Sequence, residues 1–165
     1  MAGQEADDKL HSTVVAYVVA AYGERPKEML GRARELAGAN QHVSIQESLS
    51  GLGAVEVITD EDAGDLACAY RVSDPSDTEV DVEVYISTVL PYAAAFLKRF
   101  NRVVSVVSLA DEGLPGLIAR TLSGHGVALL AQDIWRSPVP TSVAARGVSV
   151  ATLWELLFEQ EMDVP

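Results

Sequence analysis

From Glu79 to Ile86 the chain reads Glu-Val-Asp-Val-Glu-Val-Tyr-Ile, a strict period of two that a β-strand converts into two unlike faces. Val80, Val82, Val84 and Ile86 fall on one face, and Glu79, Asp81, Glu83 and Tyr85 on the other. Two further strand-like runs precede it, Ala54–Ile58 and Leu66–Val72. The stretch Glu47–Glu83, which takes in these two runs and the start of the third, holds eleven of the twenty-four carboxylates and one cation, Arg71, so ten of the chain's twelve net negative charges sit there. Charge and pleat coincide, which makes one face of this strand a core face and the other a candidate acidic surface.

A chain of 165 residues suits one domain, 1–165, since a domain of that size buries roughly 70% of the surface its unfolded chain exposes. Aliphatic residues are plentiful, and Trp135, Trp154, Phe96, Phe100 and Phe158 are the large pieces for a core. Bunched rather than evenly spread, the acids do not read as a general salt adaptation. The single cysteine, Cys68, excludes an intrachain disulfide and a thiolate zinc cluster. The apolar run Val14–Tyr22 is far short of the ~20 residues that span a bilayer, and Glu5, Asp7 and Asp8 precede it where a secretory leader wants positive charge. The expectation is a cytoplasmic protein without membrane attachment.

Taken in order, residues 1–9 read as loose. Residues 13–22 are ambiguous: Val14, Val18 and Tyr22 fit a helical stripe, while the β-branched content favours a buried strand, which is the expectation adopted. Pro26 opens a helix over Met29, Leu30, Ala33, Leu36 and Ala37. Val43, Ile45 and Glu47 begin a strand, Asp60–Asp65 and Asp74–Asp77 are turns by composition, and Pro91 opens a helix that turns Leu90, Ala93, Ala94, Leu97 and Phe100 inward. Lys98, Arg99 and Arg102 would then crowd that helix's C-terminal end, where the dipole favours cations. Val103–Leu109 is a strand, Leu114, Leu117, Ile118 and Leu122 line a helix closed by Gly124, and Val127–Ile134 is another strand. Trp135–Val148 is a long aperiodic loop, and Ser149 caps a final helix with Leu153, Trp154, Leu157 and Phe158 inside and Glu155, Glu159 and Glu161 outside. The pattern predicts an α+β fold with a largely antiparallel central sheet of about five to seven strands and helices packed mainly on one face. The other sheet face is then open to partners.

Several chemistries compete for that face. Asp81 and Glu83 project about 6.6 Å apart at ~3.3 Å of rise per residue and could share Mg²⁺ for phosphoryl transfer. However, neither the Gly-Ser turn nor the nearby lysine that such enzymes use stands at the needed spacing. His11, His42 and His125 have no local context that pairs them with a serine or with Cys68, and Gly51-Leu52-Gly53 lacks the spacing of a phosphate loop. A nucleic-acid partner is repelled by the net charge, despite the bases Arg25, Lys27, Arg32 and Arg34. A basic protein is instead attracted, with faster association. Glu56, Asp60, Glu61, Asp62, Asp65, Glu79, Asp81 and Glu83 supply the field, and Tyr85, with Trp135 or Tyr70 at the rim, supplies the aromatic anchor that affinity requires.

The expected function is therefore a non-catalytic acidic binding protein that engages and neutralises a basic protein partner, without a cofactor and with homo-oligomerisation open. Small acidic size resembles that of many bacterial immunity proteins. The order of helix, strands, helix, strands and helix resembles type III secretion chaperones, although Leu114–Ser123 adds a helix to that pattern; the resemblance implies a chaperone for a secreted protein. A Mg²⁺-dependent enzyme using Asp81 and Glu83, and a structural or assembly subunit, are the remaining alternatives.

Overall fold

The computed structural model describes residues 2–22, 42–59, 67–144 and 152–158, with side chains in the first segment from residue 9 to residue 21. Helix α1 spans Ala2–Tyr22 and α2 Val43–Ser50; strands β1 (Ala54–Val57), β2 (Ala67–Ser73), β3 (Val80–Ser87), β4 (Tyr92–Arg99) and β5 (Arg102–Val106) follow. Then come α3 (Gly113–Gly124), β6 (Ala128–Leu129), α4 (Gln132–Trp135), α5 (Thr141–Ala144) and α6 (Leu153–Leu157). The sheet has six strands: β1 to β5 run antiparallel in sequence order, and β6 joins the start of β4 in parallel. This is an α+β fold with the antiparallel sheet the alternation predicts.

Both faces of the sheet are covered. On one, Ala67, Ala69, Tyr85, Tyr92, Ala94 and Phe96 meet Val14 and Val18 of α1, Trp135 of α4, Val143 of α5 and the apolar side of α6. On the other, Cys68, Tyr70, Val82, Val84, Ile86 and Ala95 meet Ile45 and Leu49 of α2 and Leu114, Ile118 and Leu122 of α3. The helices are thus shared between two layers instead of keeping to one, and the face expected to stand open carries the larger apolar cluster. Trp154 is the hub of that layer, with Tyr85, Phe96, Trp135 and Phe158 at ring-centroid distances of 4.8–5.6 Å.

Three segments take a different structure from the one their sequence predicts. The expected strand 13–22 and the expected loose start lie in the single helix α1, because Leu10, Val14 and Val18 recur every four residues and pack together on the sheet; β-branching is a weak bias that such packing overrides. Residues 43–50 are helical for a related reason. Ile45 and Leu49 are buried and Val43 is exposed, and a four-residue spacing satisfies a strand's period twice over as readily as one helical turn. Where Pro91 was expected to open a helix, β4 lies at the centre of the sheet, with Ala93, Ala94 and Ala95 all buried. A strand covered on both sides shows a continuous apolar run that mimics a helix. Lys98, Arg99 and Arg102 consequently flank a hairpin turn and not a helix end.

Elsewhere the differences are smaller. The strand expected over 127–134 pairs only at Ala128–Leu129 before α4 begins. In α3, Leu117 faces solvent and Ala119 the core, while Gly116 is required because a Cβ there would run into the Asp111 carbonyl oxygen. The last helix is capped by Thr152, whose hydroxyl accepts from the Glu155 amide at 3.4 Å while the Glu155 carboxylate accepts from the Thr152 amide at 3.0 Å. This reciprocal cap takes the place of the expected cap at Ser149, which, with the helix expected from Pro26, the turn at 60–65 and Glu159 and Glu161, lies outside the described residues.

The two-layer packing makes Trp154 decisive. Trp154→Ala is expected to lower unfolding free energy by about 3–5 kcal/mol, and Leu117→Ala, on the exposed side of α3, by less than about 1 kcal/mol. Urea denaturation of both variants checks this; equal losses would contradict the assignment of the core.

Candidate functional site

The register across β1, β2, β3 and β4 sets Arg71 opposite both Glu56 and Glu83, and Lys98 opposite Asp81. Glu83 is 6% exposed, so its charge cannot rely on water and must find partners inside. It has three. Oε1 accepts from Arg71 Nε at 3.2 Å and Nη2 at 3.0 Å and from Lys98 Nζ at 2.9 Å, while the Tyr85 hydroxyl donates to Oε2 at 3.0 Å. Arg71 Nη1 also donates to Glu56 Oε2 at 2.7 Å, completing a chain of alternating charges, Glu56–Arg71–Glu83–Lys98, across four strands. Burial works to raise the Glu83 pKa, but the hydrogen bonds from Lys98 and Arg71 outweigh it and hold the carboxyl below its ordinary value. The same bond to Glu83 raises Arg71.

Two members of the predicted acidic plate, Glu56 and Glu83, are therefore answered by the protein's own cations. Of its expected members, Glu56 and Glu79 are exposed, Asp81 is half-buried and accepts from the Ser73 hydroxyl at 2.7 Å, and Glu83 is enclosed. Tyr85 and Trp135, expected as surface anchors, are core residues of the aromatic layer, and Tyr70 lies in the opposite layer with its hydroxyl pKa raised by burial. The physical reason is the second covered face: the side of β3 that carries Tyr85 is packed, not open. Asp60, Glu61, Asp62 and Asp65 lie outside the described residues. Asp81 and Glu83 do not form an open pair for Mg²⁺, since both Glu83 oxygens are engaged. Among the described residues no group of three or more His, Cys, Asp and Glu side chains could hold a metal ion.

One end of the sheet has a different character. Pairing of Val80 with Arg99 sets the β2–β3 turn beside the β4–β5 turn, and the Phe100 amide donates to the Glu79 carbonyl at 3.2 Å. The β4–β5 hairpin closes on two residues, Phe100 and Asn101, with φ of 51° and 60°. Such a two-residue turn favours Asn-Gly, and a bulky side chain there is strained. Phe100 is nevertheless 67% exposed, the largest exposure among the exposed large apolar side chains of the described residues. Around it stand Asp77, which accepts from Arg99 Nη2 at 3.1 Å, Asp74, whose pKa is lowered by hydrogen bonds from Ser76, and Glu79, which has no ion pair among the described residues. Sequence reasoning put Phe100 in the core; the faint signal it passed over was Asn101 between two strand-like runs. It also passed over a pocket lined by both His42, at the start of α2, and His125, at the turn after α3.

No protein-family model matches the chain, and no curated protein and no solved structure matches it. No helix among the described residues is long and apolar enough to cross a membrane.

The depressed Glu83 pKa has a signed consequence. Its pairing contributes stability in full above the unfolded carboxylate value of about 4.5 and loses it as pH falls through the lower folded value. Glu83→Gln is expected to cost about 3 kcal/mol at neutral pH, because it leaves Lys98 without its carboxylate and Arg71 with Glu56 alone, and to flatten the acid side of the stability curve. Urea denaturation at neutral and acidic pH measures both; a variant as stable as the parent with an unchanged acid limb would refute the role given to Glu83.

Proposed function

We propose that this chain is a non-catalytic acidic binding protein that engages a basic protein partner, in the manner of an inhibitor, and that Phe100 is the anchor of the contact. The observation that supports the reading is the Phe100 turn itself. A bulky residue in the left-handed region costs about 1–2 kcal/mol relative to a residue suited to it, and Phe100 returns nothing to the core, since its ring is exposed. A stability cost without an internal gain is the mark of a residue kept for something outside the fold. Aromatic side chains of this kind serve as the desolvated centre of protein contacts.

The sign of the partner follows from charge. Asp74, Asp77, Glu79 and Asp81 lie on the β2–β3 side of Phe100, against Arg99 and Arg102 on the other, and Arg99 is already paired with Asp77. The net charge of the whole chain, minus twelve, then steers a basic protein toward it from a distance at low ionic strength. A catalytic reading finds less support, because Glu83, one of the two carboxylates it needs, is occupied by Arg71 and Lys98.

Phe100→Asn separates anchor from fold. The variant is expected to be more stable than the parent by about 1 kcal/mol, because asparagine tolerates the left-handed backbone, and to bind at least about tenfold more weakly to a basic protein captured by the parent from its native host at low salt. Thermal unfolding and binding kinetics of the purified pair measure the two effects. Undiminished binding by Phe100→Asn removes the anchor, and a captured partner that is acidic or neutral removes the reading as a whole.

A further inference from the structure

The two edges of the sheet are built differently. β5 meets a register shift between Leu97 and Lys98 of β4 and begins with Arg102, and a bulge and an edge cation both discourage a further strand from pairing. β1 has neither: its register against β2 is unbroken, it contains no proline, lysine or arginine, and among the described residues it pairs with β2 alone. The phase of the hydrogen bonds fixes which of its backbone groups are turned out. The Asp74 amide donates to the Val80 carbonyl and the Ile58 amide to the Ala69 carbonyl, so even-numbered residues of β2 bond β3 and odd-numbered ones bond β1. Ala54 and Glu56 therefore face β2, and the amide and carbonyl of Val55 and of Val57 point away from the sheet.

The side chains of this edge are as uneven as its backbone. Glu56 ends the row of alternating charges Glu56–Arg71–Glu83–Lys98 that crosses four strands. Its side chain is 63% exposed, and Arg71 engages it through Oε2. The row thus stops on an anion at the rim of the sheet, where the next strand in the same alternation would bring a cation. On the other side of β1, Val55 is half-buried against the second layer, whereas Val57 is 48% exposed. Apolar surface is left uncovered there.

We propose that β1 is extended by a strand of the partner protein in which basic and apolar side chains alternate, with a lysine or arginine beside Glu56 and aliphatic residues beside Val55 and Val57. Residues directly opposed on neighbouring strands share a face, so the cation prolongs the charge row while the outward groups of Val55 and Val57 take main-chain hydrogen bonds. A second copy of this chain is disfavoured in the same place. Antiparallel pairing of β1 with itself about Glu56 sets that carboxylate against its own counterpart, and Asp60, Glu61, Asp62 and Asp65 follow Val57 within eight residues of sequence. The inference rests on the basic partner proposed above and adds a second contact to the one at Phe100. Ala54, Ser73, Asp81 and Lys98 lie in one row across β1 to β4, so β1 begins at the sheet end that carries Phe100, about 14–19 Å from it across three to four strand spacings. A contact of ordinary size covers both.

The test is a titration of the intact chain with the end-capped peptide Lys-Val-Arg-Val-Lys, followed by the NMR signals of the Val55, Glu56 and Val57 amides. Capped Glu-Val-Glu-Val-Glu, of the same pattern and opposite sign, and the basic peptide with its backbone amides N-methylated are the comparators. Saturable shifts centred on β1 are expected with the basic peptide, with solvent exchange of the Val55 and Val57 amides slowed at least about tenfold at saturation and an affinity that falls severalfold as salt is raised. Neither comparator should bind. Val57→Pro removes an outward donor and leaves the bonds to β2 in place; it is expected to unfold at the parent's temperature and to weaken the peptide at least about tenfold. Because the peptides are compared on the parent chain, a Val57→Pro chain that fails to fold does not blunt the test. Equal binding of either comparator, shifts centred elsewhere, undiminished binding by Val57→Pro or no saturable shift at millimolar peptide would each overturn the proposal. The same shifts on concentrating the protein without peptide would make the occupant a second copy and overturn it too. Failure at β1 leaves the Phe100 contact standing, whereas a captured partner that is acidic or neutral removes the reading of the partner while peptide binding at β1 persists.

Discussion

A sheet buried on both faces can keep an ionised carboxylate at its centre only if the charge is answered from within, and Glu83 is that carboxylate. Its position on β3 decides what must stand beside it: Arg71 on β2, Lys98 on β4 and the Tyr85 hydroxyl two residues along the same strand. Two of these partners have a second task. Arg71 reaches on to Glu56 at the sheet's edge strand, and Tyr85 turns its ring into the aromatic cluster around Trp154. The ion-pair chain and the aromatic layer are therefore adjoining parts of one face, and a slip of register between β2, β3 and β4 would unmake both.

The same registers shape the free end of the sheet. Because Val80 pairs with Arg99, the acidic β2–β3 turn and the Phe100–Asn101 hairpin must lie side by side, joined by the bond from the Phe100 amide to the Glu79 carbonyl. An exposed aromatic ring is thus presented next to unpaired negative charge, on a turn whose backbone is held by the strands behind it. Rigid presentation of such a ring lowers the entropy lost on docking. The interior network and the surface anchor are linked in this sense: cations spent on Glu83 and Glu56 are unavailable to neutralise Glu79.

On the opposite face the chemistry is of another kind. There α2 and α3 close over Val82, Val84 and Ile86 with apolar contacts, and polarity is confined to one corner where His42, His125 and the β3–β4 connection meet.

The strict alternation of Glu79–Ile86 was enough to place β3 and, with the strand-like runs before it, the α+β class, because a period of two has no helical counterpart over eight residues; its partner β4 was read as a helix. Leu114, Ile118 and Leu122 likewise announced α3 by their spacing. By contrast, Ile45 with Leu49, and Ala93–Ala95, are compatible with either structure, and their state was set by what packs against them. The acidity of the chain is a property of its composition, but whether a given acid is surface or interior is not: Glu83 and Glu79 stand alike in the alternation, and only the layer built from α1, α4, α5 and α6 separates them. Phe100 and the His42 pocket were beyond sequence reasoning for the same reason, since exposure of a ring and convergence of two distant histidines are relations between segments. What the amino-acid order determined alone is local, the strict strand period and the net charge; which face is covered, which charges are paired and where a cavity opens were decided by tertiary packing, because burial depends on neighbours that are remote in the chain.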